Sequence, residues 1–374
     1  MKIVMIGPAY PYKTGLSYYV ALLYKQLKKN HEVTLLSYTM QYPKILFKKP
    51  QKDYEDDVLK IDEVEFVLNT ANPFSCISTA KKINSLNPDL VIFQWLHPYF
   101  APCYTIICKF IKKAKILFMC HNVLPHERFP MDKFLTKITL KNGDYFTVHA
   151  QSDAEDLKNI LPNAKLKVTV HPAYNFFKQK DLSKEEAREI LKIDNNERVL
   201  LFFGLIREYK GLKHLLQALK LLKDNEEKVK LLVAGDFGGS RDEYDKIISE
   251  LNISDMIDIT DGHIPIGEVE KFFAASDLVV LPYESATQSG VIQVAYSFDK
   301  PVLATNVGGL PDVVINGETG YVVEPLRPDL ISDAVVDFFA NDRDKEFSEG
   351  IEREKYRYSW ERMEEVILDL INEK

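Results

Sequence analysis

Short apolar runs recur along this chain, each followed by a loop and then by a stretch with helical spacing. The first, residues 2–6, reads Lys-Ile-Val-Met-Ile and stops at Gly7-Pro8, ahead of a helical pattern at 17–27. Strands then read at 32–37, 89–94 and 115–120, with helices at 75–86 and 100–111. Runs this short and this continuously apolar, without period-two alternation, belong to a sheet covered on both faces. Repetition of strand, helix and strand makes that sheet parallel, with right-handed crossovers.

The alternation pauses at the polar segment 177–186, Phe-Lys-Gln-Lys-Asp-Leu-Ser-Lys-Glu-Glu, which reads as a linker. It then restarts, with strands at 198–203, 229–234, 256–260, 278–281 and 301–305 and helices at 212–222, 243–251 and 266–275. The expected fold class is therefore α/β, with two doubly wound, Rossmann-like domains over 1–180 and 181–356. A length of 374 residues suits two domains of about 150 residues or somewhat more. Ligands of such sheets bind outside the carboxyl ends of the strands, so chemistry is to be sought just past each strand. With two facing halves, the expected site is the cleft between them.

Composition removes several alternatives. No 18-residue stretch lacks charges or strong breakers, so no transmembrane helix is expected. The apolar run before Gly7-Pro8 is too short for a secretory signal. Cys76, Cys103, Cys108 and Cys120 form no CxxC pair, which fits a reducing cytoplasm. The net charge of −7 conceals a division: residues 1–180 hold 25 basic and 15 acidic side chains, and the remainder hold 23 and 40. Such asymmetry suggests that the first half meets an anionic surface or ligand. The basic residues are not interleaved with aromatics in a nucleic-acid module, so no nucleic-acid partner is expected.

Several loops past strand ends carry groups suited to an anion. Gly15 precedes a helix, where backbone N–H groups and the helix dipole favour negative charge, although a plain turn glycine fits equally. Arg207 and Lys210 follow the strand that ends in Gly204, and two fixed cations there can neutralise a diphosphate without a metal. Residues 281–291, Leu-Pro-Tyr-Glu-Ser-Ala-Thr-Gln-Ser-Gly-Val, again join a strand to a helix through small hydroxyl residues and glycine. His121 follows the strand at 115–120, and a hydrogen-bonded structural histidine is the competing account. His121, His126 and Glu127 lack HExxH spacing, so no metal site is expected. Asp342-Arg-Asp344 has DxD form but lies in a highly charged helical stretch and reads as a solvated face.

Taken together, these motifs resemble the family 4 retaining glycosyltransferases, which have the GT-B architecture. The resemblance rests on the first glycine loop, Trp95-Leu-His97-Pro, the stretch from Cys120 to Glu127, Phe203 to Gly211, Leu281 to Val291, and Pro301 to Pro311. It implies a nucleotide-diphosphate sugar donor, UDP- or GDP-linked, no cofactor, and a glycan or lipid-linked saccharide acceptor. Arg207 and Lys210 would grip the diphosphate, Gly15 would approach it, and His121 would sit beside the donor sugar. Gly204, Glu284, Thr287, Gln288, Ser289, Gly290 and Val291 would line the donor, with the backbone at Ile264 against the base. A C-terminal helix, 357–374, would pack back on the first domain. Family members often dock that domain on a membrane, and Lys109, Lys112, Lys113 and Lys115, with Lys133, Lys137 and Lys141, would serve an anionic inner leaflet here.

Two features depart from the family pattern. Ala286 and Val294 stand where two glutamates eight positions apart are usual, and Leu205, not arginine, follows Gly204. A non-catalytic nucleotide- or partner-binding relative is therefore the alternative. An epimerase on the same architecture fits the motif spacing less well.

Overall fold

A computed structural model describes every residue except 13–14, 47–49, 53, 55–56, 126–128 and 374. His126 and Glu127, at the end of the motif that begins at Cys120, thus lie outside the described residues. The chain divides into two units, Met1–Val170 with Ser359–Lys374, and His171–Tyr358.

The first unit begins with β1 (Lys2–Ile6), α1 (Gly15–Leu27), β2 (Glu32–Met40) and β3 (Glu65–Asn69). It continues through α2 (Pro73–Leu86), β4 (Leu90–Trp95), α3 (Ala101–Phe110), β5 (Lys115–Cys120) and α4 (Asp132–Leu140). β6 (Tyr145–Val148), α5 (Gln151–Ile160) and β7 (Leu166–Val168) follow. All its strand pairs are parallel, in the order β3-β2-β1-β4-β5-β6-β7. Successive residues of β1 point to opposite faces, and both faces are buried. Ile3 and Met5 join a cluster with Tyr19, Leu23 and Leu27 of α1, whereas Val4 and Ile6 join one with Ala80, Ile83, Tyr104 and Ile107 of α2 and α3. This double covering is why the strand sequences are apolar without alternation.

The second unit contains α6 (Lys184–Leu191), β8 (Val199–Phe203), α7 (Leu212–Asp224), β9 (Lys230–Gly235), α8 (Arg241–Glu250) and β10 (Ile257–Asp261). After these come α9 (Ile266–Ala275), β11 (Leu278–Leu281), α10 (Gly290–Ser297), β12 (Val302–Thr305), β13 (Gly320–Val323), α11 (Pro328–Ala340) and α12 (Arg343–Glu354). Its sheet is also parallel, ordered β10-β9-β8-β11-β12-β13. Among the described residues no helix is long and apolar enough to cross a membrane.

The last helix, α13 (Trp360–Asn372), belongs to the first unit and packs on α1. Met363, Ile367 and Leu370 are buried in the α1 cluster, and full burial of such a side chain stabilises by roughly 1.5–3 kcal/mol. The Glu364 carboxylate is satisfied from below: Gln26 Nε2 donates at 2.6 Å and Asn30 Nδ2 at 2.9 Å, with His31 Nε2 at 3.2 Å.

Two boundaries differ from the expectation. The units part at Val170–His171 and at Tyr358–Ser359, not at 180 and 356. Segment 177–186 is not a free linker, because the buried Glu270 carboxylate of α9 accepts backbone N–H groups from Gln179, Lys180 and Leu182 at 2.9, 2.7 and 2.9 Å. Ser183 and Glu186 then close a reciprocal capping box that starts α6. α6 is anchored by the buried Arg188, whose Nη2 donates to both carboxylate oxygens of Asp277 at 3.2 and 3.0 Å.

Candidate functional site

In both sheets the strand order reverses once, between β1 and β4 in the first and between β8 and β11 in the second. Loops leaving neighbouring strands at such a point diverge to opposite faces and open a crevice for ligand. Arg207 and Lys210 lie on the loop after β8, and Glu284 to Ser289 on the loop after β11, so the second unit's candidate anion groups flank its switch point.

The β8 loop is shaped by glycine. Gly204 has φ +105°, its N–H donates to Ala234 O at 2.9 Å, and its carbonyl is pressed against Gly235, where a Cβ would come within 1.7 Å. Arg207 is extended, Nη1 donates to Ile206 O at 2.7 Å, and the guanidinium lies so close to Gly238 that a Cβ there would sit 2.5 Å from Nη1. One 3-10 turn over Glu208–Lys210 leads to Gly211 at φ +66°. A Cβ on Gly211 would lie 2.0 Å from Pro282 O, and Glu284 N–H donates to Tyr209 O at 2.7 Å. The two loops are thereby fixed to each other through main chain.

Lys210 Nζ stands 5.6 Å from the centre of the Tyr283 ring, within cation–π range. Burial, and then the Arg207 guanidinium, push its ammonium down to about 8. Neither Arg207 nor Lys210 has a carboxylate at ion-pair distance among the described residues. A point beside Gly204 Cα lies 3.5 Å from Lys210 Nζ and 3.8 Å from Val291 Cγ2. The ammonium therefore stands close to the first turn of α10. That helix begins at Gly290 after Ser289, whose side chain does not cap it; Ser289 Oγ instead lies 3.2 Å from the Tyr283 hydroxyl. The α10 N-terminus thus brings a positive dipole end close to the Lys210 ammonium.

The remaining residues of this group differ in what they face. Thr287 O accepts from Gly309 N–H at 2.8 Å. The half-buried Gln288 has an Nε2 with no partner among the described residues. Ile264 is half-buried in the turn after Gly262, whose N–H donates to Gly235 O at 3.0 Å. Glu284 points back to α7: Oε1 accepts from His214 Nε2 at 2.9 Å and lies 3.0 Å from Lys213 Nζ. Burial would raise this carboxyl, but Lys213 and His214 hold it below its ordinary value. Val294 is buried and Ala286 O abuts Gly308, so neither position of the expected glutamate pair offers a carboxylate.

In the first unit, Gly15 opens α1 with free space around it, since a Cβ there would meet nothing within 4 Å. Gly7 is the glycine that packing requires, because a Cβ would fall 2.8 Å from Val20 and 2.9 Å from Gln94 Cγ. His121 N–H donates to Trp95 O at 2.8 Å, and its Nε2 lies 2.7 Å from Gln94 Oε1. Its ring meets Tyr19 edge-on at 4.7 Å and His149 at 5.2 Å. Burial, then His149, lower His121 well below the usual imidazole range. Burial likewise brings His149 down to about 4, although its Nδ1–H donates to Thr169 O at 2.9 Å. Asp153 Oδ1 accepts from Val123 N–H at 2.9 Å, which fixes the loop carrying His121, and burial raises that carboxyl to about 6.

Sequence reasoning passed over Tyr283, Gln94 and Asp153. The first two stand at strand ends flanking a switch point, and that position was a usable signal.

Residues 183–357 match the family model described as Glycosyl transferases group 1. Over 189 residues the chain is 32% identical to the lipopolysaccharide 1,2-N-acetylglucosaminetransferase of Salmonella typhimurium, covering 47% of this chain and 49% of that protein. Over 210 residues it is 27% identical to the D-inositol 3-phosphate glycosyltransferase of Corynebacterium glutamicum, covering 54% and 50%. The chain spans about half the length of the curated relatives it matches. Among solved structures, Anabaena Alr3699/HepE in complex with UDP has a TM-score of 0.74 at 15% identity, with all of both chains covered. Sucrose-phosphate synthase from Thermosynechococcus elongatus has 0.73 at 16% identity, covering 100% of this chain and 99% of the other. The structural likeness establishes the fold as that of two Rossmann-like α/β domains.

Proposed function

We propose that the protein is a glycosyltransferase that moves a sugar from a nucleotide-diphosphate donor, a UDP- or GDP-sugar, to a saccharide or lipid-linked acceptor. The observation that carries this reading is the pair Arg207 and Lys210 on the loop after β8 at a switch point, two cations without a carboxylate partner among the described residues, with Lys210 close to the first turn of α10. The match of residues 183–357 to glycosyl transferases supports it. Gly204, Ile264, Thr287, Gln288, Ser289, Gly290 and Val291 would line the donor, while Glu284 would hold the β11 loop against α7. His121 and Gly15 are the first unit's own candidates for binding sugar and phosphate.

The chemistry follows from where charge develops. As the bond from the anomeric carbon to the phosphate oxygen breaks, the diphosphate gains negative charge, and pre-set cations and a helix terminus stabilise it without reorganising. These groups would do the work of a metal ion, so chelators would leave turnover intact. We assign the retention that the family resemblance implies to same-face attack. The acceptor oxygen bonds the anomeric carbon while its proton passes to the departing phosphate oxygen.

The first unit would bind the acceptor and lie on an anionic membrane surface, at the inner face of the cell membrane. Exposed Lys133, Lys137 and Lys141 on and just past α4 accompany exposed Phe134 and Met131, a basic and apolar mixture suited to such a surface. Lys115 is a weaker contributor, since it pairs with Asp144 at 3.2 Å.

The test is release of nucleotide from UDP- and GDP-sugars by wild type and Arg207→Ala. Loss of about 2.7–4 kcal/mol of transition-state stabilisation, a hundredfold or more in rate, is expected. Unchanged turnover in the variant removes the diphosphate role.

A further inference from the structure

We propose that Gln94 is a positioning residue that fixes His121 as the neutral imidazole carrying its proton on Nε2. Gln94 is the fifth residue of β4 and is buried, and its two amide atoms face different partners. One lies 2.7 Å from His121 Nε2 and the other 3.7 Å from Met119 Sδ. A thioether sulfur can only accept, so the atom facing Met119 is the NH₂ group and the atom facing His121 is the carbonyl oxygen. An amide oxygen can only accept in turn, so His121 Nε2 must donate.

The arrangement is built into three adjacent strands. Gly7, just past β1, clears room for the Gln94 side chain, because a Cβ there would stand 2.9 Å from Gln94 Cγ. Met119 is the next-to-last residue of β5, and it orients the amide from the strand that delivers His121. Main chain fixes the histidine as well, since its N–H donates to Trp95 O at 2.8 Å. Burial and the neighbouring His149, itself donating from Nδ1 to Thr169 O, disfavour a charged His121 ring.

The consequence is chemical. With Nε2–H committed to Gln94, His121 Nδ1 is an acceptor, so whatever ligand group meets it must donate. A sugar hydroxyl does so; a phosphate oxygen or a carbonyl does not. On the glycosyltransferase reading, on which this consequence rests, a neutral His121 does not act as a general acid.

Long-range proton–nitrogen NMR of the full chain, with His121 assigned by comparison with His121→Asn, tests the tautomer at pH 7 without any turnover. Wild type is expected to show a single Nε2–H imidazole. Gln94→Met removes the acceptor and should mix in or install the Nδ1–H form. Gln94→Glu keeps an acceptor and should retain the proton on Nε2. Persistence of a pure Nε2–H form in Gln94→Met, or an Nδ1–H form in wild type, overturns the proposal. Because the readout is spectroscopic, a protein that transfers no sugar but shows this pattern would leave Gln94 in its role and refute only the reading of the site.

Discussion

The Lys210 ammonium lies over the Tyr283 ring, 5.6 Å from its centre, while the Tyr283 hydroxyl reaches Ser289 Oγ at 3.2 Å. One buried side chain therefore touches both the cation of the β8 loop and the residue that starts α10. Replacing the ring should loosen the cation, whose attraction to such a ring is worth about 0.5–2 kcal/mol. Tyr283→Leu is expected to weaken UDP or GDP binding roughly three- to thirtyfold, and Tyr283→Phe by less, because it keeps the ring. Calorimetric titration of both variants decides; equal affinities to wild type would show that Lys210 is held by other means.

Lys210 also gives the site a pH signature. Its ordinary value of 10.5 is lowered to about 8 by burial and by Arg207. In free protein the charge is lost as pH rises through about 8, so binding a diphosphate above that pH must take up a proton. Affinity should fall with rising pH, at most about tenfold per pH unit for one proton. Lys210→Arg stays charged and should flatten this dependence between pH 7 and 9.5, as read by calorimetry in buffers of different ionisation heat. The same shift has a stability sign. Between about 8 and 10.5 the unfolded chain holds more protons, so the contribution of Lys210 to folding improves with rising pH across that window.

Gly211 allows the β8 and β11 loops to touch. At φ +66°, with a Cβ placed 2.0 Å from Pro282 O, alanine meets both backbone strain and a main-chain clash. The left-handed conformation alone costs about 1–2 kcal/mol. Gly211→Ala should lower the urea midpoint by at least that equivalent and weaken nucleotide binding more than tenfold. A variant as stable and as tight as wild type would mean that the loops are not coupled through this contact.

For the membrane-facing role, Lys133, Lys137 and Lys141 are the residues to change. Each lysine near an anionic surface contributes about 1 kcal/mol, so replacing all three with glutamine should reduce co-sedimentation with anionic vesicles about a hundredfold at low salt. Wild type should release from the vesicles as salt rises and ignore neutral ones. Absence of wild-type binding at low salt sinks the role.

Much of the fold was legible because burial on both faces leaves a local mark. Residues 2–6, 115–120 and 278–281 coincide with β1, β5 and β11, since each is apolar apart from a leading lysine in the first two and is followed by a polar or turn residue. β7, with three residues, and β13, a strand that begins at Gly320 and is only half-buried, lie at sheet edges and carry too little apolar sequence to stand out. The pause at 177–186 is polar without being free, and Ser183-Lys-Glu-Glu186 holds a capping-box signature. What holds its first half is Glu270, which lies far along the chain. At the site, Arg207 and Lys210 were legible from charge after a strand. Tyr283, Gln94 and the turning of Glu284 toward His214 were not, because each depends on which strands become neighbours.

The return of α13 to the first unit sets an order on biosynthesis. Most of that unit precedes the second, but its last helix is translated only after all of His171–Tyr358, at about 5–20 residues per second a delay of roughly 10–40 s. Until then α1 presents Leu23 and Leu27 without Ile367 and Leu370, and Gln26 and Asn30 await Glu364. The unit whose strands emerge earlier from the ribosome is thus completed later than its neighbour in sequence, and a nascent chain stalled before Ser359 would carry a finished second unit and an unsealed first one.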